Sequence, residues 1–275
     1  MPPKLGIVAG GGDLPGILVR ACRAAGRPFF VVALKGLADP ALAADAPHAW
    51  ARIGAMGAIV RTLRREGVRE LVFAGATRRP SPLRLMPDWR ALRFLLARRT
   101  WRLGDGRLLN ALVEALEREE GFRVAGAHEV APGLLAQAGP VGRVAPDAAA
   151  LGDIAVGRRE ALALGAADRG QAVVVRLGRA IAREDREGTD ALLRRCRGLP
   201  GRGGVLVKLP KPLQDRRVDL PTVGAWTVAG AAAAGLAGIA VEAGGALIVD
   251  RAAVAEAADR AGLFVVGIAP EPGTA

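Results

Sequence analysis

The 275-residue sequence contains few of the residues that disulfide-bonded, zinc-binding and base-stacking proteins need. It has two cysteines, two histidines and no tyrosine, and aromatic residues make up only 4% of the chain. Cys22 and Cys196 lie far apart in sequence, and no Cys/His spacing typical of a metal site accompanies them. We therefore expect two free, buried thiols in a reducing compartment. The scarcity of aromatic side chains leaves few platforms for stacking bases, so we expect no nucleic-acid partner.

A long apolar run is also missing. The longest stretch of low polarity, about residues 218–249, is interrupted by Asp219, Pro221, several glycines and Glu242, which argues against a transmembrane helix. The start of the chain leads directly into KLGIVAGGG, without the charged and apolar regions of a signal peptide. We expect a cytoplasmic protein in which any membrane contact is peripheral.

Acidic residues are outnumbered by basic ones. The chain has 39 Lys and Arg against 27 Asp and Glu, for a formal net charge of +12. Such a charge attracts anions, including nucleotides, nucleic acids and acidic membrane surfaces. Since alanine, glycine and arginine are all abundant here, the excess also fits a bias in composition. Charge alone therefore does not identify the partner.

The first half of the chain alternates between strand and helix patterns. Apolar runs at 5–9, 28–34 and 69–75 are separated by helical patterns, which predicts a parallel, doubly wound sheet. The first and third runs end in glycines, at AGGGDLP and AGATRRP. Ligands of such sheets bind at the carboxyl ends of the strands, where glycine lets backbone N–H groups approach a phosphate. The full G-x-G-x-x-G spacing is missing, so a plain tight turn explains the first glycines equally well.

The remaining segments predict two α/β domains, an N-terminal Rossmann-like parallel sheet and a C-terminal mixed α/β domain. Residues 87–119 have a helical pattern, and 121–130 reads as a strand that ends in His128 and Glu129. We place the first domain at 1–130, a connector rich in proline, glycine and alanine at 131–165, and the second domain at 166–275.

The highest density of reactive side chains is at residues 208–224, KLPKPLQDRRVDLPTVG. This segment follows a strand pattern, precedes a helical stretch, and contains three prolines that stiffen it. Its lysines and arginines suit phosphate oxygens, and Asp215 and Asp219 are carboxylates suited to a hard cation or to accepting a proton from water. This is the inventory of a phosphoester or pyrophosphate hydrolase. A solvated basic turn explains the same residues without any function.

Three further positions each have a structural and a functional interpretation. Thr189 follows Gly188 and can cap a helix running to Arg197, or mark a phosphate site together with Asp190. Glu242 lies within an apolar stretch, where it either faces solvent or has a function. His128, at a predicted strand end, is either a structural or a catalytic histidine.

Taken in order, these segments resemble the LpxI family of UDP-2,3-diacylglucosamine pyrophosphatases. The matching elements are GIVAGGGDLP, FAGATRRP, GDGRLL, GFRVAGAHEV, DRGQAVVV with EGTDALLRR, KLPKPLQDRRVDLPTVG, AGLAGIAVEAG and GLFVVGI. They span nearly the whole chain. The resemblance implies hydrolysis of UDP-2,3-diacylglucosamine by water attack at the α-phosphorus, giving UMP and 2,3-diacylglucosamine 1-phosphate (lipid X), with Mg²⁺ or another divalent cation such as Mn²⁺.

The resemblance implies a role for Asp219, and the chemistry of the other residues suggests theirs. Asp219 matches the aspartate of the family's RxDxP element and is the expected catalytic residue and metal ligand, with Asp190 and Glu242 completing the metal shell. Lys208, Lys211 and Gln214 are expected to contact the diphosphate. The expected substrate-binding positions are completed by Gly11, Gly12, Gly75, Ala76, Thr77, Ala127, His128, Glu129, Val130 and Thr189. Transient contact with the inner membrane surface and a homodimer are left open.

A nicotinamide- or flavin-dependent oxidoreductase is the alternative that the strand–GGG–helix start suggests. Such an enzyme would carry an acidic residue near the end of the second strand, where it binds the ribose. Lys35 stands at that end, and Asp39 lies slightly beyond. The hydrolase interpretation therefore agrees with more of the sequence.

Overall fold

The computed structural model describes residues 2–44, 46–77, 86–97, 105–212 and 215–270. The chain divides into two compact units, Met1–Pro132 and Gly133–Ala275. Each unit contains a β-sheet with associated helices, so the predicted α/β class is confirmed.

The first unit is a parallel sheet with helical connections. Its strands are β1 (Leu5–Ala9), β2 (Phe29–Leu34), β3 (His48–Ala51), β4 (Glu70–Ala74) and β5 (Arg123–Ala125). Its helices are α1 (Leu14–Ala24), α2 (Pro40–Ala44), α3 (Met56–Arg65), α4 (Trp89–Ala97), α5 (Asp105–Arg118) and α6 (Ala127–Val130). The strand order is β3-β2-β1-β4-β5, and every pair is parallel. The predicted Rossmann-like parallel sheet is thus confirmed, and its continuous apolar strands are typical of a sheet covered on both faces.

Two details of this unit differ from the sequence prediction. The sequence prediction has no strand between the second and third apolar runs, but His48 begins β3, a four-residue edge strand that pairs with β2. Its half-exposed pattern lacks the apolar run that identified the other strands. The predicted strand at 121–130 is shorter, because the Glu129 side chain accepts the Gly126 N–H at 2.7 Å and the helix α6 begins there. His128 and Glu129 therefore lie on a short helix.

The second unit contains a mixed sheet, as predicted. Its strands are β6 (Gly139–Pro140), β7 (Ala172–Arg176), β8 (Arg179–Arg183), β9 (Val205–Lys208), β10 (Thr222–Val223), β11 (Gly238–Glu242), β12 (Leu247–Ile248) and β13 (Phe264–Ile268). Its α-helices are α7 (Ala148–Ala166), α8 (Thr189–Cys196), α9 (Ala225–Ala233) and α10 (Arg251–Ala261). The main sheet has the order β6-β13-β11-β9-β7-β8, and β10 pairs with β12 in a separate parallel ribbon. Strands β9, β11 and β13 are parallel, whereas β7 runs antiparallel to β9.

The alternation of side chains along the strands divides the core of this unit between the two faces of the sheet. Val205 and Val207 of β9 pack with residues of α7, whereas Leu206 packs with residues of α8, α9 and α10. A strand has a period of two residues, so successive side chains point to opposite faces. Lys208, two positions after Leu206, consequently lies on the face covered by α8, α9 and α10.

The segment predicted as a connector, 131–165, belongs mostly to the second unit. It contains nearly all of α7, a nineteen-residue helix whose Ile154, Ala161 and Leu164 pack on the strands. The helix approaches the sheet so closely at Gly157 that a Cβ there would overlap Val207. Small residues allow this close packing, and they are also what gave the segment the composition of a linker.

Two further predictions concern the cysteines and the membrane. Cys22 and Cys196 are both free and buried, as expected, and burial raises the pKa of each thiol. Among the residues that the structure describes, no helix has the length and apolar composition to cross a bilayer.

Candidate functional site

One edge of the second sheet brings charged side chains together. Lys208 is the last residue of β9, and Glu242 is the last residue of the neighbouring parallel strand β11. The antiparallel strand β7 starts at the same edge, where Ala172 pairs with Lys208 and its carbonyl accepts the N–H of Glu184 at 2.9 Å. The residues at this edge come from sequence segments far apart, and only the strand order places them side by side.

Lys208 is buried, with 7% of its surface exposed. Its Nζ donates a hydrogen bond to the carbonyl of Thr222 at 3.1 Å, which ties the end of β9 to the start of β10. Burial lowers the pKa of Lys208, and the carboxylates of Glu184, Asp219 and Asp190 oppose this by favouring the charged form. The predicted site lysine is thus a buried amine at the end of a strand, and three carboxylates favour its charged form.

Two of those carboxylates were predicted from the sequence. Asp219 is half-buried in the loop that follows β9, and Asp190 is exposed in the first turn of α8. Both lie close enough to Lys208 to act on its charge. The structure therefore brings three of the predicted site residues into one electrostatic group.

Glu184 is the carboxylate that the sequence interpretation missed. It is 6% exposed, and its two oxygens accept the N–H of Gln171 at 2.7 Å and the hydroxyl of Thr189 at 2.5 Å. Thr189 consequently does not cap its helix: Gly188 is the N-cap residue, and Thr189 is the first helical residue. The only sequence signal for Glu184 was its position just after the end of a strand.

Glu242 is separated from this group by the geometry of the sheet. Val241 is the register partner of Lys208. Because successive residues of a strand face opposite sides, Glu242 lies on the other face from Lys208. Its carboxylate is buried and lies 3.5 Å from the guanidinium of Arg216. The structure thus does not place Glu242 with Asp190 and Asp219.

The expected metal shell is correspondingly incomplete. Among the described residues, no three His, Cys, Asp or Glu side chains are arranged to hold a metal ion. Two carboxylates, Asp190 and Asp219, are too few to hold a cation by themselves. Other ligands would have to complete its coordination. Mg²⁺ often binds in this way, through one or two carboxylates plus substrate phosphates and water.

The other cations of the 208–224 segment already have partners. Lys211 Nζ pairs with Asp168 Oδ1 at 2.9 Å, so its charge is partly compensated before any ligand binds. Arg217 pairs with Asp215 at 2.7 Å, and this contact, with partial burial opposing it, lowers the pKa of Asp215. Gln214, expected to contact the diphosphate, lies outside the described residues.

The first unit has its own candidate site at the carboxyl edge of its sheet. The loops after β1 and β4 are joined by two hydrogen bonds, from Gly11 N to Ala76 O at 2.9 Å and from Ala76 N to Gly11 O at 2.8 Å. Gly75 has a φ of +88°, and a Cβ at this position would overlap the Gly11 carbonyl oxygen. Gly12 has a φ of +86° and is exposed, as are Ala76 and Thr77. The two glycine-containing turns predicted at one edge are therefore in direct contact.

The helix α6 lies after the neighbouring strand β5 and contributes the AHEV residues. The His128 ring packs on Gly126, and its buried Nδ1 has no hydrogen-bond partner among the described residues. The hydrogen bond from Gly126 and an ion pair with Arg123 lower the pKa of Glu129 despite partial burial, which opposes ionisation. Ala127 is buried, and Val130 is half-buried. Because the His128 Nδ1 is buried, it is not open to a ligand in this arrangement, whereas Glu129 is exposed.

Comparison with known proteins places both units in one family. Residues 4–134 match the model of the LpxI N-terminal domain, and residues 137–266 match that of the LpxI C-terminal domain. The chain is 46% identical over 277 aligned positions to the UDP-2,3-diacylglucosamine pyrophosphatase LpxI of Caulobacter vibrioides, and the alignment covers 98% of each chain.

Two solved structures show a weak overall likeness. CobK precorrin-6A reductase is 15% identical with a TM-score of 0.33, and the match covers 98% of this chain and 89% of the other. The UDP-glucose 4-epimerase of Thermus thermophilus, in complex with NAD, is 16% identical with a TM-score of 0.34, over 98% and 88% of the two chains. Similarity this weak does not indicate a shared fold or a shared function. The family matches, by contrast, extend over both units, and the chain belongs to the LpxI family.

Proposed function

We propose that this chain hydrolyses the pyrophosphate of UDP-2,3-diacylglucosamine to UMP and 2,3-diacylglucosamine 1-phosphate. The observation that carries the proposal is the 46% identity, over nearly the full length, to a pyrophosphatase that acts on this compound. It favours hydrolysis over the nicotinamide- or flavin-dependent alternative. The position of Lys35 directly after β2, where an acidic ribose-binding residue would stand, agrees with this choice.

Asp219 is the catalytic residue in this proposal. Its half-buried carboxylate accepts a proton from the water that attacks the α-phosphorus. Asp219 is among the carboxylates that favour the charged form of the nearby buried Lys208, against the lowering of its pKa by burial. The same positive charge is suited to the charge that develops on the phosphoryl oxygens in the transition state.

Mg²⁺, or a similar ion such as Mn²⁺, is the proposed cofactor. Asp190 and Asp219 near Lys208 fit an ion that shares its coordination with the substrate phosphates, and, among the described residues, they do not form an all-protein site. When bound, such an ion would neutralise phosphoryl charge and lower the pKa of a coordinated water. Glu242 lies on the other face of the sheet beside Arg216 and is not part of this proposed set of ligands.

The proposed substrate contacts follow the two sheet edges. In the second unit, Lys208, Lys211, Gln214 and Thr189 remain candidates for the diphosphate, although Lys211 must share its charge with Asp168. In the first unit, the exposed backbone of the joined glycine loops suits phosphate or nucleotide groups. The candidates there are Gly11, Gly12, Gly75, Ala76, Thr77, Ala127, His128, Glu129 and Val130.

The test measures UMP release from UDP-2,3-diacylglucosamine with Mg²⁺ in H₂¹⁸O. We expect the label in UMP, loss of turnover with a chelator, and a loss of about 10²-fold or more in kcat for Asp219→Ala, the scale for removing a general base. Asp215→Ala is the matched control, because this carboxylate of the same loop pairs with Arg217. It should retain most of the activity.

Each part of the proposal fails separately. A wild-type chain that forms no UMP would refute the reaction. Label in 2,3-diacylglucosamine 1-phosphate would mean that water attacks the phosphorus attached to the sugar instead of the α-phosphorus. An active Asp219→Ala variant would leave the reaction standing and show that the assigned site is wrong.

Contact with an anionic membrane surface is proposed as the route to the lipid substrate. The helix α4 exposes Trp89, Arg93 and Leu96, whose spacing places them on one helical face. Met86 lies just before this helix and contacts exposed Arg52 through a 3.5 Å hydrogen bond to its sulfur. Aromatic, aliphatic and arginine side chains on one surface are typical of interfacial helices. A cytoplasmic location and a homodimer remain predictions, and light scattering would test the latter.

A further inference from the structure

Glu242 is a buried carboxylate that the proposed reaction does not use. It is the last residue of β11, and its side chain is 7% exposed. Burying a carboxylate is costly unless an opposite charge or hydrogen bonds compensate for it. The guanidinium of Arg216 supplies that charge, with its Nη2 at 3.5 Å from Glu242 Oε1. This ion pair connects the carboxyl end of β11 to the loop that follows β9.

The turn after β11 leaves space for the Glu242 carboxylate. A Cβ added to Gly245 would overlap Glu242 Oε1, so a side chain at that position would displace the carboxylate. The N–H of Gly245 donates to the Glu242 carbonyl at 3.1 Å, and the N–H of Ala243 donates to the carbonyl of Ile268 at 2.9 Å. These backbone hydrogen bonds fix the position from which Glu242 reaches Arg216.

Arg216 remains able to bind an anion while it is paired with Glu242. Its side chain is 49% exposed, so the guanidinium extends from a buried partner into solvent. A guanidinium has five N–H donors, and a separation of 3.5 Å is longer than the usual hydrogen bond of about 2.7–3.2 Å. Glu242 therefore balances the charge of Arg216 without occupying all of its donors.

The loop places Arg216 within one turn of Asp219. The carbonyl of Asp215 accepts the N–H groups of Val218 at 3.1 Å and Asp219 at 3.3 Å, which closes a single helical turn. Residues three apart on such a turn are neighbours. Arg216 therefore lies next to the proposed catalytic aspartate and, through Glu242, at the carboxyl end of a parallel strand, where ligands of α/β sheets bind.

We infer that Arg216 contacts the diphosphate of the substrate and that Glu242 is the positioning residue that holds its guanidinium in place. The inference rests on the proposed function. The planar guanidinium matches two oxygens of a phosphate with parallel N–H donors. Its charge binds the diphosphate and stabilises the phosphoryl oxygens as water attacks. Glu242 does not touch the substrate and acts only by fixing the direction of Arg216.

Two substitutions of Arg216 test the contact with the substrate, measured by UMP release from UDP-2,3-diacylglucosamine. We expect Arg216→Ala to lower kcat/KM about tenfold or more, the scale for one hydrogen bond to a charged group. Arg216→Lys keeps the charge without the paired donors and should lose less activity. Arg143→Ala is the matched control, because Arg143 is an exposed arginine of the second unit that pairs with the mostly buried Asp259 at 3.0 Å. Its kcat/KM should stay within about twofold of wild type.

Glu242→Gln separates the substrate contact from a structural role of the ion pair. Arg216→Ala leaves the Glu242 carboxylate buried without this partner, so its melting temperature should fall. Adding Glu242→Gln removes the uncompensated charge, and the double variant should regain stability but remain as slow as Arg216→Ala. Glu242→Gln alone should lower kcat/KM about threefold or more, with no further effect once Arg216 is replaced. A purely structural ion pair predicts instead that activity recovers together with the melting temperature.

The outcomes are distinguishable. Recovery of kcat/KM in the double variant, or equal kcat/KM for Arg216→Ala and Arg143→Ala, overturns the substrate contact while the hydrolase assignment stands. Full activity of Glu242→Gln overturns the positioning role. Absence of UMP release by the wild-type chain overturns the proposed function and this inference with it. A stable but slow double variant supports the contact between Arg216 and the diphosphate.

Discussion

Gly75 is a position where backbone conformation and packing both exclude a side chain. Its φ of +88° is strained for L-residues other than glycine, and a Cβ would overlap the carbonyl oxygen of Gly11. Sequence inspection placed Gly11 and Gly75 at one sheet edge but could not show that their loops share two hydrogen bonds. The close approach of the two backbones therefore accounts for glycine at positions 11 and 75, in addition to the access that glycine gives to a ligand.

Gly75→Ala should therefore separate the two loops. We expect it to lower the free energy of unfolding by more than about 1 kcal/mol and to weaken UMP binding, measured by denaturant titration and calorimetry. Gly36→Ala is the control, since Gly36 has a similar φ of +76° with no atom within 4 Å of an added Cβ. An equal loss of stability in both variants would mean that φ strain alone is responsible.

The helices α3 and α4 are joined by one side chain, Asp88. Its Oδ2 accepts the N–H of Gly57 at 2.7 Å in the first turn of α3, and its Oδ1 accepts the N–H of Ala91 at 2.9 Å in the first turn of α4. Partial burial opposes ionisation of Asp88, but these hydrogen bonds outweigh it and lower its pKa. One carboxylate thus caps two helices.

Asp88→Ala should cost about 1–2 kcal/mol of stability, the usual scale for a lost helix cap. The pKa of Asp88 is lower in the folded chain than its unfolded value of about 3.9. The contribution of the carboxylate to stability is therefore complete above this unfolded pKa. The contribution disappears as pH falls through the folded pKa. The free energy of unfolding should therefore be measured from about pH 7 to about pH 3. We expect the difference between wild type and variant to become smaller at the lowest pH values. A difference in unfolding free energy that stays constant with pH would contradict the role of the Asp88 carboxylate as a cap.

Helix α7 shows how composition alone can assign a segment to the wrong part of the fold. Its alanines and glycines led to the prediction of a connector, but the segment forms a nineteen-residue helix of the second unit. Its packing on β7 and β9 depends on close approach at Gly157, which composition does not reveal. The strand β3 was missed for the opposite reason: an edge strand of four residues needs only one paired neighbour and carries no apolar run.

The exposed surface of α4 and the net charge of +12 together predict that the whole chain binds anionic membranes. Trp89 is 77% exposed and Leu96 is 55% exposed, next to exposed Arg93. We expect sedimentation with vesicles containing anionic phosphatidylglycerol at low salt, and less binding to neutral vesicles or at high salt. Trp89→Ser with Leu96→Ser should reduce this binding several-fold.

Leu177→Ser is the control for that experiment, because Leu177 is 86% exposed on a turn of the second unit. Its binding should equal that of wild type. If the α4 variant binds vesicles normally but changes the sedimentation coefficient of the free protein, this surface contacts a second copy of the chain, and the membrane proposal is wrong.

Sequence by itself determined the α/β class, the two free buried thiols, the family and most of the strands, because apolar periodicity and motif order are local properties of the chain. It also identified Lys208, Asp190 and Asp219 as residue types suited to phosphate chemistry. Only the tertiary structure decided which of them meet. Strand register put Lys208 and Glu242 on opposite faces, and antiparallel pairing of β7 with β9 brought Glu184 to Lys208. Such relations depend on how distant segments pair, and no local pattern encodes them.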